Sequence, residues 1–132
     1  DQYPFALVAA EDPRGRLVEV VRERNGGQCF FSLTEPGITR GNHFHFDKVE
    51  RFLVVSGEAV IRLRRLHSDT VHAFPVNGEE PRFIDMPTLY THSIENVGSR
   101  PLLTLFWSHA LFDPESPDTY HAPVLKEPGT EQ

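Results

Sequence analysis

Extended stretches are never long in this chain. Eleven prolines and nine glycines divide its 132 residues into short pieces, within which apolar and polar side chains mostly alternate. A period of two puts successive side chains on opposite faces of a strand, whereas a helix would need apolar residues recurring every three to four positions. "RLVEVV" (16–21), "QCFFSL" (28–33), "ERFLVV" (50–55) and "AVIRLRRL" (59–66) read as strands. So do "TVHAFPV" (70–76), "PRFIDM" (81–86), "THSIENV" (91–97) and "PLLTLFW" (101–107). Turn signals such as "EDPRG", "RNGG", "EPG", "NGEE" and "NVGSRP" separate them. No segment carries a convincing amphipathic helix; a single turn is expected near "HALFDPES" (109–116). Short strands at roughly ten-residue spacing predict an all-β antiparallel jelly roll over residues 1–122. The polar, proline-broken residues 123–132 are expected to form a loose C-terminal tail.

Bulk composition removes several classes of function. A net charge of −6 with no basic cluster argues against nucleic-acid binding, while leaving room for a local anion pocket. No apolar run approaches the twenty or so residues a membrane helix needs, and no signal-peptide pattern is present. Cys29 is the only cysteine, which forbids an intrachain disulfide and predicts a cytoplasmic setting. The first residue, Asp1, leads to the expectation of a domain excised from a longer protein.

Within "PGITRGNHFHFDKVERFLVVSGEAV" (36–60) the chemistry concentrates. On a strand His43 and His45 share one face, and Phe44 and Phe46 the other. Glu50 has the opposite parity, so a reversal at Asp47–Lys48 is expected to bring it back on a partner strand. It then stands among Phe52 and Val54, where a carboxylate is tolerated only if paired or bound to a cation. In "PTLYTHSIEN" (87–96) an adjacent antiparallel strand offers His92 as a third imidazole. Three imidazoles and a carboxylate suit a divalent transition metal. His67, His72, His109 and His121 lack such a joint pattern and are read as ordinary surface or core residues.

The spacing Gly37, His43, His45, Glu50, Gly57 resembles the first motif of the cupin superfamily, G-x5-H-x-H-x4-E-x6-G. Pro87, His92 and Asn96 resemble the second motif, with Leu89 where that motif has glycine. "DPRGRLVEV", "YTHSIENVGS" and "LFWSHALFDPESPDTY" extend the likeness to the C-terminal cupin domain of bacterial capsular polysaccharide synthesis enzymes. That resemblance implies a zinc-carrying domain that epimerises carbon 3 of a UDP-2-acetamido-2,6-dideoxy-hexos-4-ulose, beside an NADPH-dependent short-chain reductase domain. No G-x-G-x-x-G occurs in this chain to represent that reductase. The donor set also suits iron, manganese or nickel.

Epimerisation next to a ketone removes a carbon-bound proton and returns it on the other face, so a base, an acid and an oxyanion stabiliser are required. Tyr90, on the face of His92, is the first candidate acid, and Lys48 a candidate for holding the oxyanion. "DPRG" and "TRGNH" also resemble the dTDP-4-keto-6-deoxyhexose 3,5-epimerases, in which the histidine matching His43 is the base and no metal is present. His43 is therefore read as either ligand or base. The same likeness implies that Arg40 contacts the nucleotide phosphates, with Arg14 as a second anion contact. Competing readings are a sugar-nucleotide 3,4-ketoisomerase, a non-haem iron dioxygenase and a non-catalytic cupin that binds a sugar nucleotide. Exposed sheet edges predict a homodimer.

Overall fold

The computed structural model describes residues 3–125, which form eleven strands and no helix. In chain order these are β1 (Ala9–Asp12), β2 (Gly15–Glu23), β3 (Gly27–Thr34), β4 (Thr39–Phe44), β5 (Glu50–Ser56) and β6 (Glu58–Arg65). They continue as β7 (Val71–Asn77), β8 (Phe83–Met86), β9 (Tyr90–Asn96), β10 (Leu102–Ser108) and β11 (Tyr120–His121). One sheet runs β1-β2-β3-β10-β5-β8 and the other β11-β4-β9-β6-β7, with every pairing antiparallel. The eight strands quoted from the sequence all form, with ends displaced by at most two residues. β4 is the strand on which His43 was placed, and two very short edge strands, β1 and β11, carry too little alternation to be seen in the sequence. The expected single turn near 109–116 is a hydrogen-bonded turn, with the Ser116 amide donating to the Asp113 carbonyl at 3.0 Å.

The core lies between the sheets. Phe52 and Val54 from β5, Met86 from β8 and Leu102 from β10 meet Ala59, Ile61 and Leu63 from β6, Val76 from β7 and Ile94 from β9. Each of these side chains except Ala59, taken fully from water, contributes roughly 1.5–3 kcal/mol of burial free energy. Pro75 falls in β7, an edge strand, where the missing N–H removes no ladder bond from a central position.

The residues after β11 are pinned rather than free at their start. Val124 is buried, its amide donates to Asn42 Oδ1 at 3.2 Å, and its carbonyl accepts Arg64 Nε at 2.9 Å. Pro123 O accepts Arg64 Nη2 at 2.7 Å. The remainder of the tail expected over 123–132, from residue 126 onward, lies outside the described residues.

Candidate metal centre

The two histidines of the first motif reach the barrel interior through a bulge. In β4, Gly41 pairs with Ser93 of β9, and the next pairing is His43 with His92, so Asn42 is the extra residue. A regular ladder would have set His43 opposite Thr91. The bulge instead aligns the two imidazoles, whose ring centroids are 4.6 Å apart. Asn42 adopts φ 61, a left-handed conformation that asparagine tolerates better than most residues. Gly41 is required by close approach: a Cβ there would lie 2.7 Å from the His92 carbonyl oxygen. His45 lies just past the end of β4 and is 1% exposed.

Glu50 does not arrive as the sequence reading expected. β4 and β5 belong to different sheets, so the Asp47–Lys48 reversal leads across the barrel and not into a hairpin partner. The carboxylate therefore meets the histidines face to face through the core. Ligand-type atoms of His43, His45, Glu50 and His92 all lie within 4.8 Å of one another.

The turn before His92 forms without the motif's glycine. Leu89 itself takes φ 63, and is held by its amide donating to His45 O at 2.9 Å and its carbonyl accepting Leu66 N at 3.0 Å. A left-handed leucine costs roughly 1–2 kcal/mol relative to its preferred conformations. Asn96, the last residue of that motif, lies away from the cluster, donating to Thr34 O and Arg100 O at 2.9 Å each.

Electrostatics inside the cluster favour a cation. His45 Nδ1 is 2.6 Å from the Asp118 carbonyl and Nε2 is 2.7 Å from Glu50 Oε1. The carbonyl can only accept, so Nδ1 carries the proton. The Nε2–carboxylate contact then requires either a second proton on the ring or a cation shared between the two. His92 is 2% exposed and neither ring nitrogen makes a hydrogen bond of ordinary geometry; Nε2 points toward Glu50 Oε1 at 3.6 Å. Burial, then the neighbouring His43, push its pKa down to about 3, against smaller pulls from Glu50 and the Tyr90 backbone. Burial likewise lowers His43 to about 4, with Glu50 opposing. Desolvation raises the Glu50 pKa, but the His45 hydrogen bond and the electrostatic pull of the neighbouring His92, His45 and Lys48 outweigh it, leaving the carboxyl below its ordinary value. Neutral imidazoles with unused lone pairs beside an ionised carboxylate are a fitting donor set for a divalent metal. These four side chains can hold one.

The cluster floors a cavity of about 370 Å³. His43, Lys48, Arg40 and Arg14 line it with apolar walls from Phe30 and Phe106. The Lys48 ammonium sits 5.8 Å from the centre of the Phe112 ring. Arg40 is held by Nε donating to Thr34 Oγ1 at 2.8 Å and Nη2 donating to Leu33 O at 3.3 Å, while Arg14 pairs with Asp12. Tyr90 is a correction to the sequence reading. It packs against the apolar cluster of Phe52, Met86 and their neighbours and does not line the cavity. It shares the face of His92, but its larger side chain is taken up by the core. Two residues of the site went unread in the sequence, Asn42 and Asp118. Only the left-handed tolerance of Asn and Asp hinted at either.

Comparison with known proteins gives the family. The model of the polysaccharide biosynthesis C-terminal domain matches residues 10–120. The chain belongs to that family. The crystal structure of the capsular polysaccharide assembling protein CapF from Staphylococcus aureus superposes on this domain with a TM-score of 0.91 at 40% identity, covering 92% of this chain and 33% of that one. The UDP-2-acetamido-2,6-beta-L-arabino-hexul-4-ose reductase of Pseudomonas aeruginosa is 35% identical over 124 residues, 94% of this chain and 33% of the relative. This polysaccharide biosynthesis domain thus spans about a third of the length of both. The probable low-salt glycan biosynthesis epimerase Agl13 of Haloferax volcanii is 26% identical over 124 residues, with 85% and 80% coverage. In fold the domain is a cupin-like jelly roll, as likeness to the Drosophila melanogaster CENP-C cupin domain shows at TM-score 0.65, 11% identity and 77% and 70% coverage. No helix among the described residues is long and apolar enough to cross a membrane.

Proposed function

We propose that the domain epimerises carbon 3 of a UDP-linked 4-keto-6-deoxy-N-acetylhexosamine during polysaccharide precursor synthesis. The observation that carries this reading is the His43–His45–Glu50–His92 cluster opening into a cavity that also presents Lys48, Arg40 and Arg14. A similar reductase is named for a 4-ketose sugar nucleotide and another relative for epimerisation. A ketone at carbon 4 is the group that makes the neighbouring carbon 3 proton removable.

In this reading His43, His45, Glu50 and His92 would hold a divalent metal, zinc first among the candidates. Such an ion would polarise a ketone oxygen and so lower the barrier to losing the adjacent proton. His43 is uncharged at neutral pH because burial disfavours its cationic form, so it is able either to donate a lone pair or to accept a proton. Lys48 offers a mobile donor to the oxygen on which negative charge develops. Arg40, its guanidinium already oriented by Thr34 and Leu33, and Arg14 are suited to the diphosphate. The phenyl walls exclude water from the reacting carbon. The remainder of the parent protein supplies a short-chain reductase, and two copies associate through exposed sheet edges in the cytoplasm.

The test is exchange. Zinc-loaded domain is incubated in D2O with the 4-ketose sugar nucleotide, and carbon 3 is followed by proton NMR. Loss of that signal is expected. Retention of the proton throughout many substrate-lifetimes, with binding shown by titration, rejects the epimerase, and a 3-keto product identifies a ketoisomerase instead.

A further inference from the structure

One support of the cluster lies in neither motif. Asp118 sits between β10 and β11, 73 residues from His45, with φ 50. Its carbonyl accepts His45 Nδ1–H at 2.6 Å. Its carboxylate accepts three successive amides: Phe46 on Oδ1 at 2.9 Å, then Asp47 at 2.9 Å and Lys48 at 3.0 Å on Oδ2. A single residue thus grips one imidazole and the whole reversal that follows it. We infer that Asp118 is the positioning residue of this metal centre, setting the tautomer of His45 and fixing the turn that delivers Lys48 to the cavity.

The inference rests on reading the four side chains as a metal site. A ligating imidazole needs its lone pair on one nitrogen and its proton on the other, and the partner of the protonated nitrogen decides which is which. With Asp118 O on Nδ1, Nε2 is left as the donor facing Glu50 and the centre of the cluster. The direction of that carbonyl depends on the left-handed backbone at 118, which aspartate and asparagine tolerate and most residues resist. The carboxylate acts on the second half of the site. Three amides pointing at one acceptor group hold residues 46–48 against motion, so the Lys48 side chain leaves from a fixed Cα. The same segment walls the cavity: Phe112 and Thr119 line it, and the Phe112 amide donates to Gln28 Oε1 at 2.9 Å. The grip on His45 and the wall of the cavity are therefore one piece of chain.

The experiment uses the full chain, stripped by chelator and reloaded with Co2+, whose visible bands report ligand geometry. Release of Co2+ to excess chelator is timed for wild type, Asp118→Ala, Asp118→Asn and Ile61→Val. Asp118→Ala is expected to release the ion roughly 10- to 100-fold faster, with shifted visible bands. Asp118→Asn falls between, because Asn keeps the backbone conformation and one acceptor but turns an NH2 toward two amides. Ile61→Val trims a core side chain that belongs to neither the cluster nor the cavity lining, lowering Tm without changing the bands or the release rate. If Asp118→Ala does not fold, Asp118→Asn carries the same comparison. Wild-type release rates and unchanged bands in the Asp118 variants overturn the positioning role. A wild-type protein that takes up no Co2+ overturns the metal reading beneath it, and the two failures are separate results.

Discussion

Glu50 and Val54 stand on one face of β5, and His92 and Ile94 on one face of β9, yet they build opposite chemistries inside the same barrel. At one end Val54, Ile61, Ala59 and Leu102 close an apolar plug that is at most 2% exposed. At the other, the buried side chains are two imidazoles and a carboxylate, His45 and His92 at most 2% exposed and Glu50 at 7%. The difference lies in how the burial is compensated. The plug gains from dispersion and from leaving water, whereas the cluster leaves His92 with two nitrogens that make no ordinary hydrogen bond. Such a group costs about 1–3 kcal/mol when buried. One end stabilises the fold; the other draws on that stability to hold a reactive arrangement.

Substitution tests this contrast most sharply at His92. His92→Leu is expected to abolish stoichiometric zinc by elemental analysis and to reduce carbon 3 proton exchange at least roughly 100-fold, on the scale of losing a ligand and its polarising ion. In chelator-treated protein the same change is expected to raise stability in urea by about 1–3 kcal/mol, since it removes unsatisfied buried nitrogens. A metal-free His92→Leu less stable than metal-free wild type would show that the cluster is already satisfied without an ion. The plug gives the mirror image: Ile61→Ala is expected to destabilise by about 2–5 kcal/mol through transfer and cavity terms, with zinc content unchanged.

Acidity separates the two ends next. His43 and His92 have folded pKa values of about 4 and about 3, against an ordinary 6.5. Between these values the unfolded chain binds more protons, so stability rises with pH there. Metal-free protein is therefore expected to hold its full share above pH 6.5 and to lose on the order of a few kcal/mol as pH falls toward 4. Urea unfolding at several pH values measures the slope, and His92→Leu flattens it. An equal slope in both proteins would break the assignment. Leu89→Gly, the smallest effect, is expected to stabilise by about 1 kcal/mol, relief of the left-handed strain being offset in part by lost leucine contacts. A loss of stability would mean that those contacts outweigh the strain.

Much of this was legible before any coordinates. Alternation in "ERFLVV" and "THSIENV" placed the strands because a half-buried strand must show one apolar face. His43, His45, Glu50 and His92 were legible as a set because their spacing is shared. Tyr90 was misassigned on the same rule: parity with His92 says which face a side chain takes, but not how far along the barrel it lies. Asp118 was illegible, since a carbonyl that holds an imidazole 73 residues away leaves no local signature.

By itself the sequence determined the all-β architecture, the apolar faces and the four donor residues, all properties that repeat or space themselves along the chain. Tertiary structure alone decided that Glu50 crosses from the opposite sheet, that the Asn42 bulge brings His43 level with His92, and that Asp118 grips His45. These depend on the closing of two sheets over one interior, where distances are set by packing between elements far apart in the chain and no local preference encodes them.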